Sequence, residues 1–106
     1  IIESKEKLKE MNLHAPLVGH VGDGNFHLLY LIEPGDQEQF KKAKSHNKWM
    51  VEKAIDLGGT CTGEHGIGYG KAEFLAKEVG SSIKLMKGIK HAFDPKGLLN
   101  PGKLFV

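Results

Sequence analysis

Apolar positions recur with two different periods along the chain. From Asp36 to about Leu57, the residues Phe40, Ala43, Asn47, Met50, Val51, Ala54 and Ile55 fall near helical spacing, which predicts one long helix with a single, largely apolar stripe. Asp36 followed by Gln39 offers a capping-box start, and Gly58-Gly59 offers a stop. Ile83, Met86, Ile89 and Phe93 line one face of a second helix from Ser82 to Phe93, closed by Asp94-Pro95. A shorter helix from about Lys71 to Val79 precedes it, and the Lys- and Glu-rich stretch from Ile1 to about Asn12 reads as another. Pro16 bars any helix before Leu17-Val18, a short strand that delivers His20 at its end. Gly22-Asp23-Gly24-Asn25 combines residues that accept positive φ, so a tight turn leads into a second strand from Phe26 to Ile32, closed by Pro34-Gly35. Thr60-Cys61-Thr62 is a short β-prone run, and Leu98 to Lys103 is extended and turn-rich. The element count predicts an α+β fold in which a small antiparallel sheet packs with helices, without repeats or low-complexity segments.

With 106 residues the chain supplies one domain, residues 1–106, too short to enclose a large cofactor and a substrate site unaided. A net charge of +2 with interleaved signs gives no reason to expect nucleic acid or an anionic membrane as partner. No apolar run approaches the roughly 18 residues of a membrane span. The lone Cys61 cannot form an internal disulfide and favours a reducing compartment. The chain opens without Met, inside a helix already under way, and so reads as a fragment.

The candidate chemistry sits in two glycine-rich segments, His20-Val-Gly-Asp-Gly-Asn-Phe-His27 and Gly63-Glu-His-Gly66. Two imidazoles on either side of a hairpin turn can reach one point, either as backbone-bonded turn residues or as metal ligands; glycine lets the chain bend tightly around an ion. Asp23 and Asn25 suit the turn better than a metal. Glu64 alone is a loop acid, but with His20 and His27 it completes a two-imidazole, one-carboxylate set suited to Zn²⁺, Mn²⁺ or Fe²⁺ with positions left for substrate. His65 is then either a packing partner or, held neutral by the nearby cation, a general base. The run from Gly66 to Lys71 is no phosphate loop, since His65 and Ala72 stand where glycine and a hydroxyl residue are required, and its third glycine is misplaced for a dinucleotide fingerprint. It suits close backbone packing beside something flat or bulky. His14, His46, His91 and Trp49 have no such setting and read as surface or packing residues.

Three motifs in order, His20 to His27, Gly59-Thr-Cys-Thr-Gly-Glu-His-Gly-Ile-Gly68 and Leu99-Asn-Pro-Gly-Lys103, resemble the C-terminal domain of FAD-linked oxidases, over roughly residues 16 to 105. The likeness is to D-lactate dehydrogenase of the cytochrome type, the glycolate oxidase D subunit and D-2-hydroxyglutarate dehydrogenase, and it implies a ferredoxin-like piece of that domain. It implies that His20, His27 and Glu64 bind a divalent metal, commonly zinc, that His65 is the catalytic base, and that Asn100 approaches the flavin; Lys103 belongs to the same motif. It also implies FAD, an upstream FAD-binding domain of the same protein, a small 2-hydroxy acid as substrate and an electron acceptor. The compartment it implies is bacterial cytoplasm or mitochondrial matrix. Some hydroxyglutarate-oxidising relatives carry Asn two residues after the second ligand histidine where this chain has Leu29, which favours a shorter or less polar acid such as lactate or glycolate. The fragment alone is expected to be inactive, and the surface that would meet the absent domain makes self-association plausible. Two other classes fit the same residues: a metal-dependent hydrolase with water in the open position, and a non-catalytic metal-binding or interaction module.

Overall fold

The computed structural model describes residues 1–105 and has the expected α+β character, with a two-stranded antiparallel sheet and four helices. The chain forms two compact units, Ile1–Lys53 and a second from Ala54 onward, the boundary falling in the last turn of the longest helix.

In the first unit, α1 (Ile2–Glu10) and the helix α2 (Gln37–Asp56) are joined by bonds between Ser4 and both His46 and Met50, and Ser4, Leu8, Ala43, His46 and Val51 are buried. His46, one of the histidines without a predicted role, is fully buried at the centre of this core. Its Nε2 lies 3.1 Å from the Ser4 carbonyl oxygen, which can only accept, so Nε2 carries the proton and Nδ1 accepts from the Tyr30 hydroxyl at 2.7 Å. Burial lowers the His46 pKa, with the Ser4 bond opposing and the Lys7 charge adding to the shift. Burial likewise pushes Tyr30 up to about 12. Trp49 packs near the His46 ring at 5.7 Å between centroids, with the Lys7 ammonium over its face. The start of α2 follows the sequence in part: the Gln39 N–H donates to Asp36 Oδ1 at 2.9 Å, while the Asp36 N–H goes to the Glu33 carbonyl and not to the Gln39 side chain. Phe40, expected on the apolar stripe, is exposed.

The hairpin strands are β1 (Leu17–Val18) and β2 (His27–Leu28), with Leu17 opposite Leu28 and Val18 opposite His27. The predicted strand from Phe26 to Ile32 is cut short, and Pro16 is the cause. The Leu29 N–H still donates to the Pro16 carbonyl at 3.0 Å and the Leu31 N–H to that of His14 at 2.9 Å, but proline has no N–H to return the bond. Alternation leaves Leu17, Leu28 and Tyr30 half-buried and Val18, Leu29 and Leu31 exposed.

In the second unit α2 ends as its glycines predict. Gly58, at φ 81°, donates to Ile55 and Gly59 to Ala54, the paired bonds of a Schellman motif. Helices α3 (Ala72–Val79) and α4 (Ser82–Phe93) pack together, and Cys61, Ala72, Phe74 and Leu75 form the core. The face predicted for α4 is only partly covered, since Ile83 and Met86 are half-buried whereas Ile89 and Phe93 are exposed. Residues 60–62 do not form a strand: the Cys61 N–H donates to the Glu78 carboxylate and the Thr62 N–H to the Thr60 hydroxyl, so no ladder can run there. No helix among the described residues is long and apolar enough to cross a membrane.

Candidate functional site

His20 caps a 3₁₀ turn, Val21–Asp23, that joins the two strands. Its carbonyl accepts from the N–H groups of Asp23 (2.9 Å) and Asn25 (3.2 Å), and Gly24, at φ 77°, donates to Val21. Main-chain bonds thus close the turn. Gly19 lets it form: at φ 142°, any Cβ there would stand 2.7 Å from the Asn25 carbonyl oxygen and the Phe26 Cα. His20 is exposed and His27 half-buried, one at each side of the turn, as expected.

Glu64 and His65 lie in the second unit on an exposed bend, His65 Nε2 being 3.4 Å from Glu64 Oε1. The His65 side chain is 85 % exposed. The loop is anchored on both flanks. Before it, Glu78 in the last turn of α3 accepts from the Cys61 N–H at 2.8 Å. Burial disfavours the charge of Glu78, yet bonds from the Cys61 N–H and S–H and from the Thr60 hydroxyl hold its carboxyl below the usual range. Burial, and then the Glu78 bond and charge, push the Cys61 thiol up to about 11, so this cysteine is packed and unreactive at neutral pH.

After it, the glycine run folds onto the C-terminal tail. The Leu104 N–H donates to the Gly68 carbonyl at 2.9 Å, the Tyr69 hydroxyl to that of Pro101 at 3.4 Å, and the Lys103 ammonium sits 3.2 Å from the centre of the Tyr69 ring. The glycines of the run itself do not pack closely on anything flat or bulky, as a Cβ at Gly66, Gly68 or Gly70 would meet nothing within 4 Å; it is Gly102 in the tail whose Cβ would meet the Tyr69 ring at 3.4 Å. The tail is pinned from its other end by Asp94, a buried carboxylate that accepts from the N–H groups of Leu98 and Leu99 (2.9 Å each) and pairs with Lys90, whose ammonium also donates to the Leu99 carbonyl. The Lys90 bond, followed by that of Leu99, lowers Asp94 to about 2. Asn100 follows at φ 47°, a left-handed conformation asparagine tolerates better than most residues.

Among the described residues no group of three or more His, Cys, Asp or Glu side chains is assembled that could hold a metal ion. The donor chemistry of His20, His27 and Glu64 nevertheless suits a divalent cation, and both glycine-rich segments carry a buried oxygen without a hydrogen-bond partner, Asn25 Oδ1 and Thr62 Oγ1. Sequence reasoning passed over Glu78, Asp94 and Tyr69. The first carried a signal: an anion in the last turn of a helix opposes the dipole there, which implies a specific partner.

The family model for FAD linked oxidases, C-terminal domain, matches residues 1–104, and the chain belongs to that family. It is 46 % identical over 105 residues to the probable mitochondrial D-lactate dehydrogenase of Danio rerio, covering 98 % of this chain and 21 % of that protein. It is also 43 % identical over 88 residues to glycolate oxidase subunit GlcD of Bacillus subtilis, covering 82 % and 19 %. With D-2-hydroxyglutarate dehydrogenase of Stutzerimonas stutzeri it shares 38 % identity over 91 residues, again covering 82 % and 19 %. The chain thus spans about a fifth of the length of these relatives.

Proposed function

We propose that this chain is the substrate-side, C-terminal part of an FAD-dependent D-2-hydroxyacid dehydrogenase that oxidises D-lactate or glycolate to the 2-oxo acid. Family membership supports the class, and the observation that carries the reading is the bonding of the Asn100 tail to the loop that follows His65, through Leu104 to Gly68 and Tyr69 to Pro101.

Oxidation of a 2-hydroxy acid releases the hydroxyl proton and the Cα hydrogen with its electron pair. His65 takes the proton; its exposed imidazole, beside Glu64, is the general base of the reading. FAD, held by the rest of the full-length protein, supplies the acceptor for the hydrogen leaving Cα. Asn100 contributes a side-chain amide toward the flavin from a tail that Asp94 holds in place. His20, His27 and Glu64 are the residues that would hold a divalent ion, zinc foremost with manganese or iron as alternatives, and such an ion supplies positive charge for the substrate's carboxylate and hydroxyl. Leu29 stands two residues after His27, on the same side of the strand and exposed, and gives that face an apolar contact suited to a methyl group or a hydrogen rather than a second carboxylate. Names among the relatives are consistent with mitochondrial matrix or bacterial cytoplasm as the compartment.

Purified full-length protein, assayed with D-lactate, glycolate and D-2-hydroxyglutarate and analysed for flavin and divalent metal, tests the reading. A yellow protein with about one metal ion and its highest kcat/KM on D-lactate or glycolate is expected. A colourless protein that hydrolyses esters or amides would replace it with the hydrolase.

A further inference from the structure

We propose that Glu78 is a positioning residue: from the end of α3 its carboxylate clamps the Thr60–Thr62 segment and so fixes where Glu64 and His65 stand. The inference rests on the reading of those two residues as functional.

Glu78 occupies the last turn of α3, where the helix carbonyls make a negative charge unwelcome, and it lies in a partly buried place that disfavours charge further. It stays ionised because three donors converge on it, the Cys61 N–H at 2.8 Å, the Cys61 S–H and the Thr60 O–H. Thr60 extends the chain, since its hydroxyl oxygen also accepts from the Thr62 N–H at 3.3 Å. No backbone ladder holds this segment, so these contacts take over that task. Downstream, the Leu104 N–H to Gly68 carbonyl bond fixes the other flank, and residues 63–67 are strung between the two anchors. Within that span Gly66 sits at φ 77°, so the intervening backbone has little stiffness of its own. A carboxylate that chelates main-chain and side-chain donors on the approach to a catalytic pair is suited to setting geometry and not to binding substrate. Misplacement of a reacting group by an ångström lowers turnover by about 100-fold.

The test uses Glu78→Ala, Glu78→Gln and Thr60→Val in the full-length flavoprotein, with Glu73→Gln, an exposed acid in the first turn of α3, as control. Glu78→Ala is expected to lower kcat by roughly 10- to 100-fold with KM changed by less than about threefold. Glu78→Gln, which keeps an acceptor for the Cys61 N–H, restores most of that loss. Cys61, now released, reacts with a maleimide at least about tenfold faster in the Ala variant. If Glu78→Ala does not accumulate as folded protein, Thr60→Val reads the same clamp through a smaller kcat loss and faster labelling. Wild-type kcat and wild-type labelling in every Glu78 or Thr60 variant that folds would overturn the proposal. Failure of the underlying reading looks different: His65→Ala would leave turnover intact while Cys61 labelling in the Glu78 variants still accelerated.

Discussion

Single side chains decide most of what this chain does, and His46 is the clearest structural case. Its two ring nitrogens satisfy the Ser4 carbonyl and the Tyr30 hydroxyl inside the first unit, so His46→Ala leaves both unpaired and opens a cavity. A loss of about 2–4 kcal/mol in urea unfolding of that unit is expected. The same residue sets a pH dependence. Its folded pKa lies below the unfolded value near 6.5, so the unfolded chain takes up the proton first. Its stabilisation is complete above about pH 6.5 and declines as the pH falls below that, which unfolding midpoints across pH 5 to 8 will register. Asp94 acts in a separate window: with its carboxyl lowered from 3.8 to about 2, the anchor of the Asn100 tail persists above about pH 4 and weakens as the pH falls toward 2. On the proposed reading of Leu29 as a specificity residue, Leu29→Asn in the full-length protein is expected to raise kcat/KM for D-2-hydroxyglutarate relative to D-lactate. An unchanged ratio would remove Leu29 from the specificity argument.

At the scale of elements, the hairpin shows how far a sequence can be read and where it stops. The turn between His20 and His27 was legible because glycine, aspartate and asparagine cluster between two apolar runs, and the helix ends at Asp56 and Phe93 followed, to within a residue, from Gly58-Gly59 and Asp94-Pro95. Strand length was not legible, because Pro16 acts on the partner strand, and the cost of its missing N–H appears only once the register is known. Gly19 was invisible for a similar reason, its requirement arising from a cross-strand approach. Gly19→Ala would force a Cβ to within 2.7 Å of main-chain atoms in a backbone conformation disfavoured for alanine. A destabilisation of about 2–4 kcal/mol is expected, together with disruption of the turn that joins His20 to His27; on the proposed reading this lowers the metal content of the full-length protein. The Thr60–Thr62 run illustrates the converse, β-prone residues whose donors are taken by Glu78 and by Thr60 itself. Around the candidate site, motif order sufficed to point to the family that the comparison bears out, whereas the carboxylates that hold the loops, Glu78 and Asp94, could be found only through their hydrogen bonds.

At the scale of the whole molecule, this chain belongs to the C-terminal domain family of FAD-linked oxidases while covering about a fifth of the length of its relatives. Its functional loops are organised by contact with one another in the second unit, the glycine run against the Asn100 tail, and by the tight turn of the hairpin in the first. The most direct test is the anaerobic reductive half-reaction of the full-length protein, followed by loss of flavin absorbance on mixing with D-lactate. For His65→Ala the reduction rate should fall by about 10²- to 10⁴-fold, with flavin and metal content unchanged. A variant that reduces its flavin as fast as the wild type would contradict the assignment of His65 as the base, and with it the catalytic role given to this loop.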